Sequence, residues 1–148
     1  MATTITPNTL TVTITESIVL NGTSYGNSVS KSYVSQGEVD QRIMNISTSG
    51  SIIFGYTTKD GKGDAVKDDY AYFRVTNLDD TNFIRLEVNN GTDTYFIKIK
   101  SGESFLVMDN EMEAVDGSTT FSAFADIESI KATADTDNVD IEYIAITA

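Results

Sequence analysis

The sequence predicts a single all-β domain, an antiparallel β-sandwich of jelly-roll type, and three observations lead there. Apolar and polar residues alternate with period two through most of the chain. No window keeps the i, i+3, i+4, i+7 spacing of an amphipathic helix over three turns. Turn signals separate about eight to ten short strand-like runs, a spacing typical of antiparallel sandwiches. An up-and-down barrel satisfies the same pattern.

The 148 residues suit one domain with a core large enough to fold without staples. Neither an internal repeat, a linker nor a shift of composition marks a second domain. Residues 1–9 are expected to form an N-terminal arm and residues 10–148 the sandwich.

Leu10, Val12 and Ile14 alternate with Thr11, Thr13 and Thr15, which predicts a first strand with an apolar face and a threonine face, continuing to Leu20. Asn21-Gly22 suits the positive φ angles of a type I′ turn, so the first hairpin is placed there. Val39, Ile43 and Ile46 mark another strand, and Ile52 to Phe54, bounded by glycines, reads as a buried one. Phe73 and Val75 then precede the turn Leu78–Asn82, with Ile84, Leu86 and Val88 after it, which predicts a hairpin with both apolar sets facing inward. Tyr95, Ile97 and Ile99 alternate with Phe96, Lys98 and Lys100, and the turn Ser101–Glu103 leads into a further expected hairpin. In residues 112–130, Phe121, Phe124, Ile127 and Ile130 sit three or four apart, as in a short helix or irregular turn. "VDIEYIAIT" closes the chain as a strand.

Composition removes most chemistries. Cysteine, histidine and tryptophan are absent, so disulfides, thiolate and imidazole nucleophiles and the usual zinc, copper and iron ligand sets are excluded. A net charge of −12 and a pI near 4.1 repel phosphates and anionic lipids, which argues against nucleic-acid and membrane partners. "MATTITPNTLTV" lacks the basic and apolar regions of an export signal, and no run approaches the roughly 20 apolar residues of a membrane span. The Asn-x-Ser/Thr matches at Asn21, Asn45 and Asn90 are therefore read as chance.

Asp60, Asp64, Asp68 and Asp69 supply the oxygens calcium prefers, but Lys62 occupies a ligand position of the EF-hand pattern and, with Lys59, would repel a cation. A solvated loop is the expectation. Asp79-Asp80-Thr81-Asn82 and Asp135–Asn138 have the side chains that cap their own turns. Glycoside hydrolysis needs only two carboxylates, yet the acids lie mostly in turns and no tryptophan platform exists, so no enzyme is expected. No residue is assigned a catalytic, cofactor-binding or metal role, and no cofactor is implied. Arg85, Lys98 and Lys100 form a basic stripe that suits an acidic partner or, interleaved with Glu87, a plain solvated sheet face. Among Tyr25, Tyr33, Tyr56, Tyr70, Tyr72, Tyr95 and Tyr143 some must reach the surface, where tyrosine favours interfaces; core edge is the simpler reading for most.

From "YAYFRVTNLDDTNFIRLEV" through "YFIKIKSGESFLVM" to "IESIKATADTDNVDIEYIAI", residues 70–147, the chain resembles small all-β structural proteins of tailed bacteriophages, especially those infecting marine bacteria. The shared features are a "V-T-N-L-D" hairpin, a "G-E-S-F" turn and a closing "I-K-A-x-A-D-T … V-D" strand pair, and the opening "TITESIVLNGTSYG" agrees with them. The resemblance implies a virion protein, made in the bacterial cytoplasm and assembled symmetrically, without cofactor or active site. Capsid decoration suits it best, with the major capsid protein or other virion proteins as partners and a homo-oligomer, a trimer first. A tail or neck component, or a receptor- or glycan-binding module on the virion, is the alternative. Residues 1–10, with Pro7 and small polar side chains, are expected to be mobile in a monomer and to contact another subunit in an assembly.

Overall fold

The computed structural model describes residues 8–36, 38–55, 70–108 and 127–147, and all regular structure among them is β. The strands are β1 (Asn8–Thr15), β2 (Ile18–Leu20), β3 (Thr23–Tyr25), β4 (Ser28–Gln36), β5 (Glu38–Ile46), β6 (Ser51–Gly55), β7 (Tyr70–Asn77), β8 (Ile84–Asn89), β9 (Thr94–Ile99), β10 (Ser104–Val107), β11 (Ser129–Ala134) and β12 (Val139–Thr147). Two four-stranded antiparallel sheets pack together, one in the order β10-β7-β12-β5 and the other β6-β11-β8-β9. β1 with β4, and β2 with β3, form a separate two-stranded ribbon.

Alternation explains the packing. Ile84, Leu86 and Val88 of β8, Ile130 and Ala132 of β11, and Val139 and Ile141 of β12 are fully buried, while the residues between them point away from the core. Each large apolar side chain so buried contributes roughly 1.5–3 kcal/mol. Phe73 lies between Phe54 and Tyr143, with ring centroids 6.1 and 6.2 Å away. Its ladder partner on β12 is the small Ala145, which leaves room for the ring, and on β10 it is Val107.

The inward alternation of Phe73, Val75, Ile84, Leu86 and Val88 is as expected, but their connection is not a hairpin. β7 is flanked by β12 and β10, β8 by β11 and β9, and the turn 78–83 carries the chain from one sheet to the other. The turn 100–103 between β9 and β10 crosses in the same way. A period-two pattern points apolar side chains at the shared core whether a turn joins neighbouring or facing strands, so the pattern cannot separate the two cases. The hairpin in this region is instead β8–β9, around Asn90–Asp93.

Ile52 is 65 % exposed, whereas Ile53 and Phe54 are both buried. Ile130 pairs with Phe54 and Lys131 with Ile52, so Ile53 is the extra residue of a bulge, which lets two successive side chains turn inward. Val39 and Ile43 lie on the strand expected for them but face outward, and only Ile46 of that set enters the core. The first strand, expected to reach Leu20, breaks at Glu16–Ser17. Asn8 and Thr9, expected in the arm, belong to β1. Residues 1–7, the acidic loop with Asp60, Asp64, Asp68 and Asp69, Tyr56, and Phe121 and Phe124 lie outside the described residues; Ile127 is buried just before β11, and Ile130 belongs to it.

Candidate interaction surface

The ribbon is one continuous hairpin. Its pairing runs in a single register from Leu10–Tyr33 through Ile14–Val29 to Ile18–Tyr25 and Leu20–Thr23, and the Glu16 amide bonds the Asn27 carbonyl at 2.9 Å where strand assignment lapses. Asn21 and Gly22 close it with φ of 51° and 80°, the type I′ turn expected there. At the lapse, Gly26 has φ of 139°, and a Cβ on it would stand 2.1 Å from the Glu16 carbonyl oxygen, so no other residue fits. At about 3.4 Å per residue the hairpin is roughly 35 Å long.

Its two faces differ. On one, hydroxyls bond across β1 and β4 at three successive rows: Thr11 with Ser32 at 3.2 Å, Thr13 with Ser30 at 2.8 Å and Thr15 with Ser28 at 3.1 Å. The threonine face was legible in the sequence; its serine partners were not. By the same period, Leu10, Val12, Ile14, Ile18 and Leu20 share the other face with Tyr25, Val29 and Tyr33. Ile18, Leu20, Tyr25 and Val29 are each more than half exposed, as is Val19 on the opposite side. Glu16 and Lys31 are the ribbon's sole charges, and the Lys31 ammonium lies 5.0 Å from the Tyr33 ring centre. No strand of the ribbon pairs with either sheet; the Tyr33 hydroxyl fastens its root by donating to the Met108 carbonyl.

At the far end of the two-sheet body, the four turns 47–50, 78–83, 100–103 and 135–138 are bonded into one layer. Ala134 N donates to Ser47 O at 3.1 Å, Ser101 Oγ to Asp79 O at 2.7 Å, Asp135 N to Phe83 O at 3.3 Å and Thr136 Oγ1 to Asn82 Oδ1 at 2.8 Å. Asp79 caps its own turn, accepting from Thr81 N at 2.7 Å and Asn82 N at 2.5 Å, and the Asn82 and Thr81 amides hold its carboxyl below the usual range. Asp135 likewise accepts from Thr136 N. Turn chemistry, as read in the sequence, accounts for these acids, and no group of three or more carboxylates among the described residues is placed to hold a metal.

The basic stripe is rearranged. Arg85 and Lys98 stand directly opposite each other on the outer face of β8 and β9, but Lys100 has left the strand for the turn layer. Lys131 of β11, opposite Glu87, joins the two cations instead; a pairing across some forty residues of chain leaves no local signal. Arg85 lies 5.2 Å above the exposed Phe96 ring and the Lys98 ammonium 3.8 Å above Phe83.

Tyrosines divide between surface and core. Tyr25 is at the ribbon tip and Tyr33 at its root. Tyr72 is buried, and burial pushes its hydroxyl above the usual range. Tyr95 is pushed up to about 12 by the same cause. Tyr143, in the core, donates to Asp40 Oδ2 at 2.7 Å, while Asp40 Oδ1 accepts from Arg42 Nε at 2.8 Å. Burial raises the Asp40 carboxyl, but the bonds from Arg42 and Tyr143 outweigh it and leave the group below its ordinary value. The chain matches no protein-family model, no curated protein sequence and no solved structure.

Proposed function

We propose that this chain is a non-enzymatic structural protein of a tailed-phage virion, a capsid decoration protein that holds neighbouring subunits together. The ribbon carries this reading. A segment of 29 residues, 8–36, stands outside both sheets, exposes Ile18, Leu20, Tyr25 and Val29 on its apolar face and has one acid and one base in a chain of net charge −12; this is the make-up of an attachment device. The strand order supports a jelly roll. Numbered in chain order from β5, one sheet reads sixth, third, eighth, first and the other second, seventh, fourth, fifth, the order of that fold, and jelly rolls recur in capsids. Lectins use the same fold, and the ribbon together with the resemblance in residues 70–147 favours the capsid reading.

Particles purified from the source phage test the reading by mass spectrometry and electron cryomicroscopy. The expected result is a copy number matching the head lattice and two-sheet density on the outer shell. Absence from the particle overturns the virion reading, and density confined to neck or tail overturns decoration.

A further inference from the structure

We infer that Asn21, at the ribbon tip, is a site of spontaneous covalent modification: in the folded chain it deamidates to aspartate or isoaspartate, while the fold protects the other Asn-Gly pair, Asn90-Gly91. The reaction proceeds whatever the ribbon attaches to.

The chemistry needs only water as co-reactant. The Gly22 nitrogen attacks Asn21 Cγ, a new N–C bond forms, and the attacking amide gives up its proton. The side-chain nitrogen leaves as ammonia, and a five-membered succinimide remains. Water then opens the ring. Addition at the side-chain carbonyl gives aspartate; addition at the main-chain carbonyl gives isoaspartate, whose main chain runs through Cβ and Cγ. Glycine is the best residue to follow the asparagine, because no side chain hinders the approach of its nitrogen. Mild alkali speeds the attack by taking up the amide proton.

The chain holds two Asn-Gly pairs, and the structure separates them. Asn21 and Gly22 are both exposed, and neither the Asn21 side chain nor the Gly22 amide has a hydrogen-bond partner among the described residues. Nothing lies within 4 Å of the place a Cβ on Gly22 would take. A type I′ turn sets the nitrogen after its first central residue away from that residue's Cγ, so the tip must open before the ring closes. Little resists this. Beyond Gly26 the tip is closed by the pairs Ile18–Tyr25, Val19–Ser24 and Leu20–Thr23, all of them exposed.

Asn90 is held at both reacting groups. Its Oδ1 accepts from Thr92 N at 2.9 Å and Asp93 N at 2.6 Å, and the Gly91 nitrogen donates to Asn89 Oδ1 at 2.6 Å. The Glu128 carboxylate also packs on Gly91, where a Cβ would stand 2.4 Å from its Oε2. This turn joins β8 to β9 beside the buried Val88, so its opening disturbs the body sheet.

Each event at Asn21 adds a negative charge beside the exposed Ile18, Leu20 and Tyr25, on a ribbon whose Glu16 and Lys31 otherwise cancel. Isoaspartate also lengthens the main chain of the loop by one atom, which a two-residue type I′ turn does not accommodate.

Peptide mapping by mass spectrometry of the full chain, kept for days at mildly alkaline pH with and without urea, tests the inference. In the folded chain Asn21 should convert at least about 10-fold faster than Asn90, giving both aspartate and isoaspartate with ammonia released in step. In urea the two rates should come within about threefold of each other, because protection by the fold is gone. Asn89→Ala, which frees the Gly91 nitrogen, should speed conversion of Asn90 by about fivefold and leave Asn21 unchanged, with circular dichroism showing the sheets intact. Equal rates in the folded chain overturn the inference, as does an Asn21 still intact when the urea-treated chain is fully converted, or an Asn90 rate unmoved by Asn89→Ala.

Discussion

The side-chain amide of Asn77, fully buried, donates to the backbone carbonyl of Asn82 at 2.9 Å and to that of Ile99 at 3.2 Å, while its oxygen accepts from Asp79 N at 2.9 Å. One side chain thus closes the 78–83 crossing and ties it to the end of β9. Removing it leaves two carbonyls and an amide without a partner in a buried place. Asn77→Ala should lower stability by about 2–3 kcal/mol in urea denaturation, and Asn77→Leu should do no better, because shape without hydrogen bonds does not satisfy those groups. A loss below about 0.5 kcal/mol would contradict this role.

Asp79 should make the fold acid-sensitive. Its folded pKa lies below the ordinary value, chiefly through the Asn82 and Thr81 amides, so its contribution is complete above the unfolded value of roughly 4 and disappears as pH falls through the lowered one. Asp79→Asn keeps an oxygen for the cap and removes the titration. Its melting temperature should therefore fall less steeply below pH 4 than that of the wild type. Asp40 and Glu142, also held low, the latter mainly by Gln41, leave a residual slope. Parallel curves for wild type and variant would dismiss the cap.

At the alkaline end the sign reverses. Burial raises the Tyr143 hydroxyl, with the Asp40 bond adding to it, and raises Tyr95 to about 12. For these groups the stabilising contribution is intact below the unfolded value of roughly 10 and is lost as pH climbs toward the folded one. Melting temperature should drop from pH 10 upward, and Tyr143→Phe should flatten that drop. At neutral pH the same substitution should cost about 0.5–1.5 kcal/mol, since Asp40 keeps Arg42.

The ribbon tip should be separable from the body. Gly22 holds φ of 80°, where a β-branched residue is strained by about 1–2 kcal/mol. Gly22→Val should speed proteolysis between Ile18 and Tyr25 and leave the melting of the two-sheet body where it was. A matching fall in both would show that the ribbon folds as part of the core.

Local chemistry was readable from the sequence and long-range partnership was not. Asn21-Gly22 announces its turn because only a few residues tolerate both φ angles, and Ile84, Leu86 and Val88 announce a buried face because their spacing fits a strand. Nothing near Val75 says that β12 and β10, and not β8, lie beside it. The same gap hid Lys131 beside Glu87 and the serines opposite Thr11, Thr13 and Thr15. Asn77 reads as a strand-end turn residue, and its burial follows only from the crossing it supports.

The ladder between β5 and β12, which joins Glu38 with Thr147 and Ile46 with Val139, decides when folding can finish. β5 is the first strand of the body to leave the ribosome and β12 the last, and β12 is the strand that β5 pairs with. The body therefore cannot close until β12 has been made; its earliest strand waits until then, with Ile46 uncovered. Such non-local closure belongs to chains that fold in milliseconds to seconds, so newly made copies meet one another before their sheets are complete.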